Sequence, residues 1–496
     1  MNIKDEIQNL LKEIGPGKMS STAYDTAWVA RLGEIDWELS SQALNWISEN
    51  QLSDGSWGAE QPLYYHDRVI CTISAMIALT HRGRRAKDRS KIEKGLQALE
   101  RITSGATQGL AADPNGATIG FEMIAPTLVS EAEKLGIIKQ QGERILGRMA
   151  RLRSSKMAKL AGRKINRMVT PAFSSEMAGI DGQTILDIDN LQEANGSVAH
   201  SPSATAYFAR YLKQGEPRAL AYLHEWVADD GGIPDDDPFD VFEPAWVLWN
   251  LQLIPDFDTK TCELCEPHLD ILQQSWDPTG GIAHAIEYSP KDSDDSALTF
   301  EMLTSFGRNV DIRGVLSYEE DEYFRCFALE ANPSISANIH VLGALRIAGY
   351  DRKHPSVQKI LKFLHANRIA SKYWTDKWHA SPYYATSHAI IMIQTYDKDL
   401  CNNAIEWIID TQDTNGSWGF YGPTAEETAY AIQALSIWKA SNGKVSSDCI
   451  ELGINWLIHH SEPPYTPLWI GKALYTPELV VRSTILSAIQ MGRQII

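Results

Sequence analysis

A tryptophan comes back eleven residues after an earlier one, behind a glutamine and a glycine, near both ends of this 496-residue chain. Trp46 is followed by Gln51 and then by Gly55-Ser56-Trp57, and Trp407, Gln412 and Gly416-Ser417-Trp418 repeat the arrangement with the same offset. Phe363 and Trp374 keep the offset without the glutamine, Trp456 and Trp469 stretch it by two, and Gln192, Gly196 and Val198 form a weaker copy. The unit reads as a helix, a glutamine near its end, a glycine that permits a tight turn, and an aromatic folding back. Segments 338–347, 355–366, 402–411, 425–438, 447–458 and 479–490 carry apolar residues at three- and four-residue spacing, and strand-type alternation is scarce. The chain therefore reads as all-α, with helix pairs recurring at about 45-residue intervals and stacking around an axis as an α/α barrel. The repeat aromatics are read as core, so they inform architecture and not chemistry.

Charge narrows the partners. Lysine plus arginine number 46 against 63 aspartates and glutamates, a net charge of −17, and neither nucleic acid nor anionic lipid is expected to bind. The start, Met-Asn-Ile-Lys-Asp-Glu, lacks the basic and apolar regions of a secretory signal. No run approaches the ~18 apolar residues of a membrane span. The six cysteines (Cys71, Cys262, Cys265, Cys326, Cys401, Cys449) are scattered, and a reducing cytoplasm is expected.

The sharpest chemical signal is Asp292-Ser293-Asp294-Asp295, ahead of a stretch whose apolar spacing predicts a helix. Two readings stand side by side. Aspartates at a first helical turn cap orphan N–H groups and face the positive end of the dipole. Alternatively, neighbouring carboxyls in a dry cavity cannot all ionise cheaply, which keeps one protonated as a general acid strong enough for a very weak base such as an alkene.

The D-x-D-D signature at 292–295 together with the Q-x-x-x-G-x-W repeats at 51–57 and 412–418 resembles the class II diterpene cyclases. The segment Ser21-Thr22-Ala23-Tyr24-Asp25-Thr26-Ala27-Trp28-Val29-Ala30 is similar to the opening of plant and bacterial members. Similarity continues through Ile119-Gly120-Phe121-Glu122, Ser201–Ala206, Pro333–His340 and Pro467–Lys472, covering essentially the whole chain, and is nearest to the actinobacterial halimadienyl (tuberculosinyl) diphosphate synthases.

The resemblance implies two α/α-barrel domains, β (1–19 plus 221–496, carrying the acid motif) and γ (20–220), without the class I α domain of plant bifunctional enzymes. It implies a lyase- or isomerase-type enzyme that protonates geranylgeranyl diphosphate and forms a halimadienyl-, copalyl- or labdadienyl-type bicyclic diphosphate with diphosphate retained. Its partners would be this prenyl diphosphate and a downstream terpene synthase or transferase, and a homodimer is compatible with it. Asp294 takes the role of proton donor, Asp292 and Asp295 hold its environment, and His340 stands where relatives place a hydrogen-bond partner for the acid. Lys164, in Lys164-Ile165-Asn166, matches a lysine that contacts diphosphate. Asp113 and Glu122 match acids that bind Mg²⁺, a hard cation suited to oxygen ligands. Trp378 and Tyr383 are expected to line a π-rich cavity that stabilises carbocations, with Trp246, Trp249 and Trp276 as further candidates.

Two stretches depart from the plant pattern. Where plant ent-copalyl cyclases hold the histidine and asparagine that end the reaction, this chain reads Phe173-Ser174-Ser175-Glu176 and Pro234-Asp235-Asp236, so that base is missing. Asp236-Asp237-Pro238-Phe239-Asp240 fits the D-D-x-x-D metal pattern of class I synthases, but its proline and the preceding glycines read as a loop. Cys262-Glu263-Leu264-Cys265 is half a zinc pattern without a second half, which weakens a zinc prenyltransferase reading. Rival readings are a farnesyl diphosphate cyclase of drimenyl type, a class I synthase, and a non-catalytic barrel.

Overall fold

In the computed structural model the eleven-residue repeat is the corner between an outer helix and an inner one. The structure describes residues 2–17, 19–82, 85–105, 117–139, 145, 149–169, 173–330 and 332–496. The indole N–H of Trp57 donates to the Ile47 carbonyl, that of Trp374 to Leu364 and that of Trp418 to Ile408, each at 2.7 Å, so each ring is pinned to the helix it has just left. The glutamines tie two outer helices together: Gln412 Nε2 donates to the Gly416 carbonyl at 3.0 Å and to Cys449 at 2.9 Å, and Gln51 does the same with Gly55 and Lys91. Glycine is required at the corner because Gly416 has φ of +97° and a Cβ there would meet the Leu452 carbonyl at 2.5 Å. Each corner also leans on a threonine of the following inner helix, as Thr428 Oγ1 accepts the Trp418 N–H at 3.0 Å and Thr386 Oγ1 that of Trp374 at 3.0 Å. Trp418→Ala removes a fully buried indole and its hydrogen bond, and is expected to cost about 3–5 kcal/mol in urea unfolding; a loss under about 1 kcal/mol contradicts this role.

Six inner helices, Phe242–Gln252, Ser293–Ser305, Ile335–Ile347, Pro382–Ile393, Ala425–Ala440 and Glu478–Ile495, each pack on the next, and the last packs on the first to close a ring. They are buried on most sides, and each residue of Pro382–Ile393 is buried. The outer helices Thr259–Ser275, Pro355–Ala366, Lys398–Asp410 and Ser447–His459 bury one stripe only, such as Val357, Ile360, Leu361 and Leu364. The N-terminal helix Ile3–Glu13 joins this outer layer, packing on Glu478–Ile495 and Thr259–Ser275. This is an α/α barrel.

A second core gathers Ala23–Val29, Tyr65–Arg82, Phe121–Lys134 and Pro202–Tyr207, with Trp37–Glu49, Ala86–Gly105 and Pro217–Glu225 outside them. The chain passes from this core to the barrel between Ile233 and Phe239. The two cores meet along a short hairpin, Trp469–Ile470 paired with Leu474–Tyr475, whose backbone bonds across to the second core: Ile119 N to Gly471 O at 2.8 Å and Leu474 N to Asp67 Oδ1 at 2.9 Å. Among the described residues no helix is long and apolar enough to cross a membrane.

Candidate active site

The aspartate cluster is divided between a helix cap and a cavity wall. Asp292 is the N-cap of Ser293–Ser305, its carboxylate accepting the Asp295 N–H at 2.8 Å. Capping by Asp292 leaves Asp294 and Asp295, in the first turn, to face a cavity, and all three line it. Asp295 Oδ1 accepts the indole N–H of Trp246 at 3.3 Å. Burial first, and then the charges of Asp295 and Asp294, push the Asp292 carboxyl well above the usual range; Asp295 is pushed up to about 6 by burial and then by Asp294. Asp292 and Asp295 interact as one group that retains protons separate aspartates would have lost.

Asp294 sits between two donors on the neighbouring inner helix Ile335–Ile347. His340 Nδ1 bonds Asp294 Oδ1 in a very short contact, and Ser336 Oγ lies 3.2 Å from Asp294 Oδ2. One helical turn separates Ser336 from His340, so both reach the same carboxyl. Behind His340, its Nε2 meets His388 Nδ1 at 2.9 Å. Burial, followed by the charges of His340 and His379, drives the His388 pKa well below the ordinary imidazole value. A neutral His388 that donates from Nδ1 leaves His340 with its own proton on Nδ1, directed at the acid. Asp376 anchors the start of this helix, accepting the N–H of Ile335 at 2.7 Å and of Ser336 at 3.0 Å.

Because Asp295 is raised, the folded state holds a proton that the unfolded carboxyl, with a pKa of about 3.9, would release. The associated stability is complete below about pH 4 and is lost as pH rises through about 6. Asp295→Asn is therefore expected to gain in melting temperature relative to the parent between pH 4 and 7; a pH-independent difference contradicts the shared-proton account.

The cavity between the two cores spans about 910 Å³ of empty space, its open mouth included. Phe242, Trp246, Tyr384, Trp469 and Tyr475 line it from the barrel, and Ile119, Ser174, Ala199 and Ser201 from the other core. Its aromatic faces are the environment a carbocation needs. A second cavity of about 1740 Å³ shares Ile119, Phe327 and Trp378 with the first and carries Lys156, Lys159 and Lys377. Burial disfavours the charge of Lys377, but Glu330 outweighs it and its pKa is raised.

The expected site residues do not all converge here. Trp378 is correctly placed, lining both cavities with its indole N–H unpartnered and Lys377 5.0 Å from its ring centre. Tyr383 is not: it stacks on Trp407 at 4.7 Å, facing the outer layer, and its neighbour Tyr384 lines the cavity, since adjacent residues on a helix point about 100° apart. Trp249 donates to Glu301 at 3.0 Å and Trp276 packs on Phe300, both in the barrel core, whereas Trp246 lines the cavity. Lys164 is exposed and lines neither cavity, because its neighbour Ile165 turns inward to bridge Leu186; Lys156 and Lys159, earlier in the same basic run, line the second cavity instead. Asp113 lies outside the described residues. Glu122 lines the second cavity, but its carboxylate is closed by Lys156. The described residues therefore fit Mg²⁺ poorly, a lysine-paired carboxylate being a weak offer to a hard cation. The Asp236–Asp240 stretch is a loop, as read, and Cys262 and Cys265 lie on a helix, one exposed and one buried.

Sequence reasoning passed over Lys472. Its ammonium crosses between the cores to Glu176 at 2.7 Å and Ser203 at 2.9 Å, and its backbone N–H donates to Asp235 at 3.0 Å. Asp235 also bears on Asp25, and burial followed by the Asp25 charge raises the Asp235 carboxyl well above its usual range. The family-like stretches at 21–30, 173–176, 201–206 and 467–472 are thus joined in one buried polar network.

An acid held by a histidine at the wall of an aromatic-rich cavity, beside a chamber in which three lysines face Glu122, Glu330 and Asp376, suits a reaction that starts by protonating an apolar substrate. Residues 326–472 match the squalene-hopene cyclase C-terminal domain family. The chain is 48% identical over 480 residues to a type B diterpene cyclase of Mycobacterium tuberculosis, covering 95% of this chain and 96% of that one. It is 29% identical to an ent-copalyl diphosphate synthase of a Streptomyces species, over 95% and 92% of the two chains. The solved ent-copalyl diphosphate synthase of Streptomyces platensis superposes with a TM-score of 0.81 at 27% identity, over 99% of this chain and 100% of that one. The chain belongs to the class II diterpene cyclases.

Proposed function

We infer that this cyclase acts on geranylgeranyl diphosphate, with Asp294 protonating the terminal alkene and the diphosphate carried through unbroken. The observation that supports this most is the Asp294 carboxyl, bonded by His340 and close to Ser336, at the wall of a cavity rich in aromatic rings. The His340 donor favours the carboxylate that remains after the proton has left, which makes transfer to so weak a base easier. The polyene folds inside the cavity before reaction, and such preorganisation lowers the barrier by up to ~7–11 kcal/mol. Protonation then yields a bicyclic cation over the faces of Trp246, Tyr384 and Trp469, and shifts of hydride and methyl follow before a proton is lost. Lys156, Lys159 and Lys377 are proposed to hold the diphosphate in the second cavity, Lys156 and Lys377 giving up Glu122 and Glu330 to do so, with Trp378 at the junction.

In the same reading the barrel is the β domain and the other core the γ domain. The sequence-based bounds of 1–19 plus 221–496 and 20–220 shift so that the helix Pro217–Glu225 stays with the second core, to which Ala219, Tyr222 and Leu223 belong. Six free cysteines suit a cytoplasmic setting. The retained diphosphate makes the product a substrate for a synthase or transferase that ionises it.

Measuring inorganic diphosphate during turnover tests the reading. Substrate is expected to disappear with no release above background; release matching consumption would assign class I chemistry instead.

A further inference from the structure

A class II cascade takes one proton in and must give one back, and the residues that do the second task in plant relatives are replaced here. We propose that His284, held by Asp236, is the base that ends the cascade in this cyclase; the proposal rests on the cyclase reading above.

The lining of the reaction cavity leaves few candidates. The three motif aspartates are the acid group. Asp235 is bound up with Asp25 and Lys472, and its raised pKa marks a carboxyl that keeps its proton. Lys472 is itself a cation, and the phenols of Tyr384 and Tyr475 are far too weakly basic. Among the described lining residues, Asp236 and His284 remain, and they face each other with Asp236 Oδ2 3.4 Å from His284 Nε2.

The imidazole is rigidly mounted. The His284 carbonyl accepts the N–H groups of Val241 at 3.2 Å and Phe242 at 2.8 Å, at the start of an inner helix. Tyr288 packs on the ring at a centroid distance of 4.1 Å, and His200 lies beyond at 5.6 Å. The charges around it favour proton uptake: burial works against an imidazolium, but Asp236, Asp295 and Asp240 outweigh it and raise the His284 pKa. His200, lowered to about 4 by burial and then by His284, stays neutral and does not compete for the proton.

The step balances. With Nε2 turned to Asp236, the lone pair of the neutral ring is on Nδ1, and it takes a proton from the carbon next to the final cationic carbon. The C–H electron pair becomes the new π bond, and the imidazolium is stabilised by Asp236. One proton has entered from Asp294 and one has left to His284, so the product is an isomer of the substrate.

His284→Gln and His284→Phe, assayed with geranylgeranyl diphosphate and analysed after dephosphorylation, test this. A positioned base contributes about 10²–10⁴-fold, so the parent's alkene should fall at least about tenfold as a share of products. Hydroxylated diphosphates from water capture, or isomeric alkenes, should take its place while substrate continues to be consumed. If these variants do not fold, Asp236→Asn carries the test and should move the product ratio the same way. An unchanged product ratio in folded variants overturns the assignment. So does lost consumption at an unchanged melting temperature, which would put His284 in the initiating step. One bound transition-metal ion per purified chain, with activity lost to chelators and restored by the metal, would make His200, Asp236 and His284 a metal site and also overturn it. Failure of the cyclase reading itself looks different, because the parent enzyme would then form no cyclic diphosphate at all.

Discussion

Asp294→Asn is expected to slow cyclisation of geranylgeranyl diphosphate by at least about a thousandfold while the protein remains folded. The carboxamide keeps the size of the side chain and can still meet His340 and Ser336, but it has no proton acidic enough for an alkene. Stability should hold or rise, because one member of a buried, mutually repelling carboxyl cluster has been neutralised. The pairing of these outcomes is the test: an initial-rate assay with labelled substrate beside a thermal melt. Full activity in Asp294→Asn would remove the residue from the chemistry, and a collapsed melt would assign it a structural role.

His340→Ala should act on the same step from behind. The alanine takes away the hydrogen bond that favours the departing carboxylate, and charge-assisted bonds of this kind contribute about 1.5–3 kcal/mol, or roughly 10–150-fold in rate. The effect should fall on kcat, with KM changed less than about threefold, since His340 is fully buried behind Asp294 and does not line the cavity. His340→Asn, which restores one donor at the same place, should recover part of the loss. A large rise in KM with kcat preserved would contradict the assignment, as would an asparagine no better than alanine. A fall in stability is also expected, because His388 Nδ1 loses its partner in an aromatic enclosure formed by Trp249, Tyr384 and Tyr430.

Much of this architecture is legible in the sequence because its corners are local. A glutamine, a glycine and a tryptophan within seven residues encode a turn whose bonds mostly close within about a dozen residues; the Trp57 and Trp418 corners follow it, and the Trp374 corner keeps the indole bond without the glutamine or the glycine. The stretched copy at Trp456 and Trp469 does not: Trp469 lines the cavity and donates at 2.8 Å to the buried carboxylate of Glu426. The threonines that complete each corner escaped notice because they come 10 to 15 residues later, on the next helix.

The site was legible only where the motif and its partner lie on adjacent inner helices. Asp294 and His340 are in contact, while Tyr384 and not Tyr383 lines the cavity, because spacing alone does not fix the helical phase of Pro382–Ile393. Lys164 looked equivalent to Lys156 in composition, and burial alone separates them. Asp236 and Lys472 lie in stretches that the sequence singles out for other reasons, and His284 carries no signal at all. Each gains its meaning from a residue of the other core or a distant loop, as when Lys472 reaches Glu176 across 296 positions of sequence. Cavities between domains are assembled by tertiary structure, and spacing along the chain does not report them.

Identifying the product of the purified protein incubated with geranylgeranyl diphosphate tests the central claim most directly. A bicyclic diterpene alcohol, recovered only after phosphatase treatment and absent with Asp294→Asn, is the predicted result. Recovery of linear geranylgeraniol alone, or of the same bicyclic alcohol from the Asp294→Asn protein, would contradict it.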